Sequence, residues 1–188
     1  FMSPRPPANG NQYRVLVVDD GFWGREQVVP RLQRLRMFCD SVSHMRAEDG
    51  PSWAEYDIVL LDAYDDIGLR HDPLRTRLAA LPLLRSAEDR WGVGLRVVVY
   101  STEIQSPYIR VPLLQTGRVC EFRSAAEVID SDVLLQLVTS ETRSISPVPS
   151  NTDWAAMGLP EGAKIGDAHE TVRLNRPDVW RLVLDEIP

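Results

Sequence analysis

The stretch Tyr13-Arg14-Val15-Leu16-Val17-Val18-Asp19-Asp20 carries the clearest structural signal in the chain. Its apolar, mostly β-branched run from Val15 to Val18 predicts a strand buried on both faces, as the strands of parallel sheets are. The run ends abruptly at the acidic pair, and Gly21 follows. The pattern therefore predicts a buried strand with two carboxylates at its carboxyl end.

Two later segments repeat this pattern. The run 57–61, Asp-Ile-Val-Leu-Leu, is followed by Asp62, and the run from Leu95 to Tyr100 is followed by Ser101. Apolar residues at helical spacing predict a helix over 23–38 and a final helix around 131–138, with Ser131 as its candidate N-cap. The alternation of strand and helix predicts an α/β fold, a doubly wound parallel sheet of five strands with flanking helices.

Three further elements rest on weaker patterns. A short strand is expected at Val42–Met45, and a poor last strand at Gly117–Phe122. Leucines at helical spacing predict a helix over 74–81, which Pro82 should kink or break.

The domain organisation follows from shifts in composition. Residues 1–12 are predicted to be a disordered lead-in, and residues 13–140 to form the domain. Residues 141–152, rich in serine and proline, are predicted to be a linker. Residues 153–188 are expected to form a short helical tail or the start of a truncated effector region.

Bulk composition narrows the class of protein. Hydrophobic residues make up 44% and charged residues 26%, as in ordinary globular domains. No apolar run reaches membrane-spanning length and no signal peptide precedes the first strand, so no membrane association and a cytoplasmic location are expected. A net charge of −6 argues against nucleic-acid binding by bulk electrostatics, so DNA contact is expected only through a region beyond residue 188.

Polar residues that follow the predicted strands indicate a site. The side chains of Asp19, Asp20, Asp62 and Ser101 all follow buried strands, and ligands of doubly wound sheets bind outside the carboxyl ends of the strands. Converging carboxylates repel one another and call for a cation, for which Mg²⁺ is suited. An aspartate there could also attack a phosphoryl group. Each feature alone is as well explained by a turn or helix cap; their ordered combination indicates a site.

In order and spacing, these strands and their polar ends resemble the receiver (CheY-like) domain of two-component response regulators, over about two-thirds of the chain. The resemblance implies a flavodoxin-like five-stranded sheet. It also implies that Asp62 accepts a phosphoryl group from a histidine kinase, with Ser101 as the switch hydroxyl. Asp19 and Asp20, together with Asp62 and the backbone carbonyl of Tyr64, would hold Mg²⁺.

The chain departs from the family pattern after the last strand. Receivers have a lysine there, whereas the one lysine of this chain is Lys164. Counting from Ser101 puts Arg123 at the lysine position, as a possible substitute; counting from Gly117 puts Ser124 there. Arginine is cationic, but its planar fork is not an ammonium point charge. The sequence therefore predicts an atypical receiver.

Three functions remain open at this point. The first is a regulatory receiver of a phosphorelay, expected to belong to a transcriptional regulator and to act as a homodimer, with Asp62 as phospho-acceptor. The second is a receiver that works without phosphorylation, through constitutive dimerisation or small-ligand binding. The third is a small Mg²⁺-dependent phosphotransferase or hydrolase with Asp62 as nucleophile. Because no second acid or base is recognisable near Asp62, the chain is expected not to be an enzyme beyond its own phosphorylation.

Overall fold

The computed structural model describes residues 7, 10, 12–21, 23–49, 52–63, 79–86, 95–102, 104, 110, 113–114 and 116–140. Its strands are β1 (Arg14–Val18), β2 (Phe38–Val42), β3 (Ile58–Asp62), β4 (Arg96–Ser101) and β5 (Glu121–Ser124). Its α-helices are α1 (Val29–Arg34), α2 (His44–Asp49), α3 (Ala80–Ser86) and α4 (Ser131–Thr139). A π-helical segment, Trp23–Val28, runs directly into α1, and single 3₁₀ turns lie at Trp53–Glu55 and Glu127–Ile129.

The strands form one sheet in the order β2-β1-β3-β4-β5, and every neighbouring pair is parallel. The order 2-1-3-4-5 defines the flavodoxin-like doubly wound fold. The predicted fold class is therefore confirmed. In this fold the switch in strand order lies between β1 and β3, which places their carboxyl ends at the edge where ligands bind.

The two faces of the sheet belong to two separate cores. Alternate residues of a strand point to opposite faces, so each central strand contributes to both cores. One core contains Leu16, Val18, Val59, Leu61, Val97 and Val99. The other contains Val15, Val17, Ile58, Leu60, Val98 and Tyr100. Burial on both faces explains why these strands are continuous apolar runs in the sequence.

The two edge strands lie elsewhere than predicted. The first, β2, is Phe38–Val42 rather than Val42–Met45, and it is only partly buried because it pairs with β1 alone. The predicted helix over 23–38 ends at Arg34, since Arg36 has a left-handed φ of 58° and Phe38 already belongs to β2. The last strand, β5, is Glu121–Ser124 rather than Gly117–Phe122.

Two predictions about helices are also wrong. Pro82 neither breaks nor ends a helix: it is the third residue of α3, in the first turn, where a proline removes no intrahelical hydrogen bond. The N-cap of α4 is Asp130 rather than Ser131, because the Asp130 carboxylate accepts hydrogen bonds from the backbone N–H groups of Asp132 and Val133 at 2.9 and 3.2 Å.

Among the residues that the structure describes, no helix has both the length and the apolar composition needed to cross a membrane. Most of the predicted lead-in, the linker and the tail lie outside the described residues, and so does most of the predicted helix over 74–81. The domain boundaries at 12, 140 and 152 stay predictions.

Candidate functional site

The structure places the predicted site residues at one edge of the sheet. Asp62 is the last residue of β3 and Ser101 the last of β4, while Asp19 and Asp20 directly follow β1. The register aligns Val18 with Leu61, one residue before Asp19 and Asp62 respectively. The polar residues of the sequence motif therefore share the carboxyl edge of the central strands.

Asp19 is buried and both of its carboxylate oxygens accept hydrogen bonds. Oδ1 accepts from the backbone N–H of Gly21 at 2.7 Å, and Oδ2 accepts from the hydroxyl of Tyr100 on β4. The exposed fraction of the residue is 2%. Hydrogen bonds to a charged carboxylate in such a setting are among the stronger ones in proteins.

Gly24 allows the π-helical segment to pass directly over Asp19. A Cβ atom at position 24 would lie 2.5 Å from the Cβ of Asp19 and 2.8 Å from its Cγ and Oδ2. Ordinary carbon–carbon contacts need about 3.5 Å or more. Only glycine fits this approach without a shift of the segment or of the carboxylate.

His44, the first residue of α2, connects Asp20 with Asp62 at the end of β3. Its backbone N–H donates to Asp20 Oδ1 at 2.6 Å, and its ring Nδ1 faces the same oxygen at 3.3 Å, an ion-pair distance without hydrogen-bond alignment. Its Nε2 lies 2.8 Å from the backbone carbonyl of Asp62. A carbonyl only accepts, so Nε2 carries a proton and donates.

The environment of His44 favours its charged form. Burial lowers the pKa of the imidazole, but the nearby Asp20 carboxylate, the hydrogen bond to the carbonyl of Asp62 and the charge of Asp19 outweigh burial and raise the pKa above 6.5. Both ring nitrogens face oxygen atoms, which suits an imidazolium with two N–H groups. An imidazole with a raised pKa therefore lies among the carboxylates of the edge.

The register of β5 gives the alignment of Arg123 and Ser124, the two predicted candidates for the lysine position. Ser124 aligns with Ser101, and Arg123 aligns with Tyr100. The guanidinium of Arg123 contacts the carboxylates of Glu121 and Glu127, the latter at 2.8 Å. The hydrogen bond to Glu127 raises the pKa of Arg123, and the guanidinium of Arg123 lowers the pKa of Glu127.

Arg123 lines a cavity of about 420 Å³. A separate cavity lies beside Asp19 and Asp20. The remaining lining residues of the Arg123 cavity are Arg96, Cys120, Glu121, Gln136, Leu137 and Ser140. Arg96 begins β4 and Ser140 follows α4, so this cavity includes the amino-terminal side of the sheet. The role of Arg123 as a lysine substitute stays a prediction, and its described contacts are those of a local ion-pair cluster.

A second cavity, of about 340 Å³, adjoins the carboxylates on the β2 side of the edge. It is lined by Asp19, Asp20, Arg25, Ser41, Val42, Ser43 and Arg46. The lining combines two carboxylates with two arginines, so its formal charges balance. Such a lining favours polar or zwitterionic molecules over strongly charged ones.

Trp23 joins the loop after β1 to the loop after β5. Its indole Nε1–H donates to the carbonyl of Ala125 at 3.1 Å, and the N–H of Ala125 donates to the carbonyl of Ser101 at 3.1 Å. The indole therefore fixes two loops at the carboxyl edge.

The donor set does not fit Mg²⁺ as it is arranged. Among the described residues, no group of three or more His, Cys, Asp or Glu side chains could hold a metal ion. Both oxygens of Asp19 and one oxygen of Asp20 accept hydrogen bonds from the protein, and a hard cation needs such lone pairs. Tyr64, whose carbonyl was predicted to complete the site, lies outside the described residues.

Comparison with known proteins gives likenesses to solved structures only. No protein-family model and no curated protein matches the chain. The chain is similar to the chemotaxis response regulator CheY4 of Vibrio cholerae, with 15% identity, a TM-score of 0.47, and coverage of 68% of this chain and 96% of that one.

Two further similar structures come from Pseudomonas. One is the receiver domain of an HD domain-containing protein of Pseudomonas fluorescens Pf-5, with 14% identity, a TM-score of 0.49, and coverage of 73% and 86% of the two chains. The other is a response regulator receiver protein of Pseudomonas putida, with 21% identity, a TM-score of 0.47, and coverage of 74% and 100%. All three are receivers by description; the fold assignment itself rests on the strand order of this chain.

Three residues at the edge were missed by sequence reasoning. His44 has no metal-ligand spacing, and Tyr100 and Gly24 carry no recognisable motif. A weak signal existed for Tyr100, because a tyrosine that ends a buried strand needs a hydrogen-bond partner for its hydroxyl. Nothing in the sequence pattern indicated that His44 would reach both Asp20 and Asp62.

Proposed function

We propose that this chain is an atypical receiver-type signalling module whose state is set by partner or ligand binding rather than by phosphorylation of Asp62. One observation carries the proposal: hydrogen-bond donors of the protein already hold Asp19 and Asp20, the carboxylates at the edge where receivers do their chemistry. A site whose charges are satisfied within the fold has little need of an added cation.

The register of β5 supports the same proposal. The residue level with Ser101 is Ser124, which is uncharged, and Arg123 contacts Glu121 and Glu127 instead. A phosphorylated Asp62 would add charge to an edge where the described residues supply no ammonium group, the group that reads out phosphorylation in the receiver family. Coupling between phosphorylation and loop movement would then be weak.

In this function a homodimer or a protein partner carries the signal. A ligand would bias the module only by binding one of its states better than the other. The cavity beside Asp19 and Asp20 has a charge-balanced lining, which suits a small polar or zwitterionic molecule. A role in transcription would need a DNA-binding region beyond residue 188.

A second candidate is the phosphorylated receiver, favoured by the position of Asp62 at the end of β3, beside the carboxylates that follow β1. In that function a histidine kinase phosphorylates Asp62, Ser101 is the switch hydroxyl, and Asp19, Asp20 and the Tyr64 carbonyl hold Mg²⁺. Asp19 and Asp20 would first have to release Tyr100 and His44. No observation on the described residues favours the enzyme alternative.

Incubation with acetyl phosphate and Mg²⁺, followed by intact-mass spectrometry, separates the two functions. We expect no stable phosphoryl adduct on the wild-type chain under conditions that modify a typical response regulator. Native mass spectrometry at several protein concentrations would give the oligomeric state in parallel.

Asp62→Asn is the decisive variant for this experiment, and Asp40→Asn is its matched control. Asp40 lies on β2 and accepts a hydrogen bond from Tyr56 at 2.5 Å, so its loss leaves the carboxyl edge intact. An adduct present in the wild type and in Asp40→Asn but absent in Asp62→Asn would refute the first function and establish the second.

A further inference from the structure

Two residues, Tyr100 and His44, contact the carboxylates at the carboxyl edge of the sheet. The Tyr100 hydroxyl donates to Asp19 Oδ2 from β4, and His44 contacts Asp20 from the start of α2. Tyr100 is 1% exposed and His44 5% exposed, so both contacts are shielded from water. Neither side chain was among the site residues predicted from the sequence.

We infer that Tyr100 and His44 close the acidic edge to divalent cations, so that the folded chain does not bind Mg²⁺ there. The two residues are positioning residues: they hold Asp19 and Asp20 in an arrangement satisfied by protein donors. This inference deepens the proposed function, on which it rests, by naming the groups that replace the cation.

The geometry of Asp19 gives the first reason. Mg²⁺ demands near-octahedral geometry at short distances and needs carboxylate oxygens that point outward to it. Oδ1 of Asp19 accepts from the N–H of Gly21 and Oδ2 from Tyr100, while Gly24 packs against the carboxylate. The carboxylate could turn towards a cation only by breaking these hydrogen bonds within a packed site.

The position of His44 gives the second reason. Its ring donates through Nε2 to the carbonyl of Asp62, and Nδ1 lies 3.3 Å from Asp20 Oδ1. A cation at the edge would have to displace a side chain that also connects β3 with α2. The buried ring therefore lies in the way of an ion on this side of Asp20, and the backbone N–H of His44 already donates to Asp20 Oδ1.

Paramagnetic broadening by Mn²⁺ tests this inference on the full chain. In amide correlation spectra recorded with Mg²⁺ and then Mn²⁺, we expect the wild-type signals of Asp19, Asp20 and Gly21 to stay sharp at millimolar cation. The single variants Tyr100→Phe and His44→Ala should gain affinity, each by about tenfold or more: the first removes the hydroxyl that donates to Asp19, and the second removes the ring that faces Asp20 at 3.3 Å.

Two control variants separate the cation effect from a general loss of packing. Tyr56→Phe removes a tyrosine hydroxyl that donates to Asp40 outside the edge, and should leave cation binding unchanged. His44→Gln keeps a side-chain donor of similar reach, and should behave like the wild type. Circular dichroism and thermal unfolding of each variant establish that it is folded. The single variants are measured separately, so that cation binding by either one supports the inference.

Two results would overturn the inference. One is broadening at Asp19, Asp20 and Gly21 in the wild type at millimolar cation. The other is the absence of cation binding in both folded variants, Tyr100→Phe and His44→Ala. The two side chains would then not be what keeps the ion out. A phosphoryl adduct on Asp62 would contradict the proposed function instead, so the two failures can be told apart.

Discussion

Gly24→Ala should destabilise the domain although the substitution adds a single methyl group. The new Cβ would lie 2.5 Å from the Cβ of Asp19, about 1 Å inside an ordinary contact. Neither side can easily give way, because Asp19 is held by Gly21 and Tyr100 and the segment Trp23–Val28 continues into α1.

The size of the effect follows from opposing contributions. Overpacking a buried site costs about 1–3 kcal/mol. Weakening a hydrogen bond to the Asp19 carboxylate adds roughly 1.5–3 kcal/mol. Replacing glycine by alanine in a helical segment returns about 1 kcal/mol. The free energy of unfolding should therefore fall by roughly 1.5–5 kcal/mol, a large part of the stability of a domain of this size.

Urea denaturation followed by circular dichroism measures this loss as a shift in midpoint at unchanged m-value. The amide signal of Gly21 should move as well, because its N–H donates to Asp19. Glu26→Ala is the control: it changes an exposed residue of the same segment and should stay within about 0.5 kcal/mol of the wild type.

A Gly24→Ala variant as stable as the wild type, with the Gly21 signal unmoved, would refute the packing of the π-helical segment on Asp19. The double substitution Gly24→Ala with Asp19→Asn offers a further check. The asparagine has nearly the same shape, so the steric cost should persist even where the charge is gone.

Three further predictions concern the groups around the edge. Because the pKa of His44 is raised, the stability that this residue contributes is complete below pH 6.5 and is lost as pH rises through the folded-state pKa. Denaturation curves of His44→Gln should lack this pH dependence. An unchanged pH dependence in that variant would contradict the prediction. Trp23→Phe removes the donor to the Ala125 carbonyl and should cost about 1 kcal/mol or more in urea denaturation; no loss would argue against the loop contact. Arg123→Gln should lower stability by less than about 1 kcal/mol, since the pair with Glu127 is partly exposed; a loss of several kcal/mol would show a larger structural role.

The sequence predicted the centre of the sheet better than its edges. The strands β1, β3 and β4 are buried on both faces, which forces a continuous apolar run that can be recognised directly. The edge strands β2 and β5 are only partly buried and contain charged residues, so nothing in their pattern marks where they begin. Their positions depend on pairing with β1 and β4, which is a property of the folded chain.

The site divides in the same way. Asp19, Asp20, Asp62 and Ser101 could be predicted because the carboxyl ends of parallel strands meet at one edge. His44 could not, because its contact with Asp20 and Asp62 depends on where β2 ends and α2 begins, and the sequence pattern misplaced that boundary. The sequence could not decide whether Arg123 or Ser124 aligns with Ser101, because a one-residue change of register turns a side chain to the opposite face; the structure aligns Ser124 with Ser101.

The hydrogen bond from Trp23 to Ala125 joins residues 102 positions apart in the chain. Closing so long a loop costs conformational entropy, and this cost is offset only when the surrounding residues pack late in folding. Contacts of this kind therefore slow folding. During synthesis, β1 and its acidic loop emerge long before the segment that completes their surroundings. The acidic edge should therefore be among the last parts of the domain to fold. In a chain cut short before residue 125, the loop that contains Asp19 and Asp20 would lack its contact with Ala125.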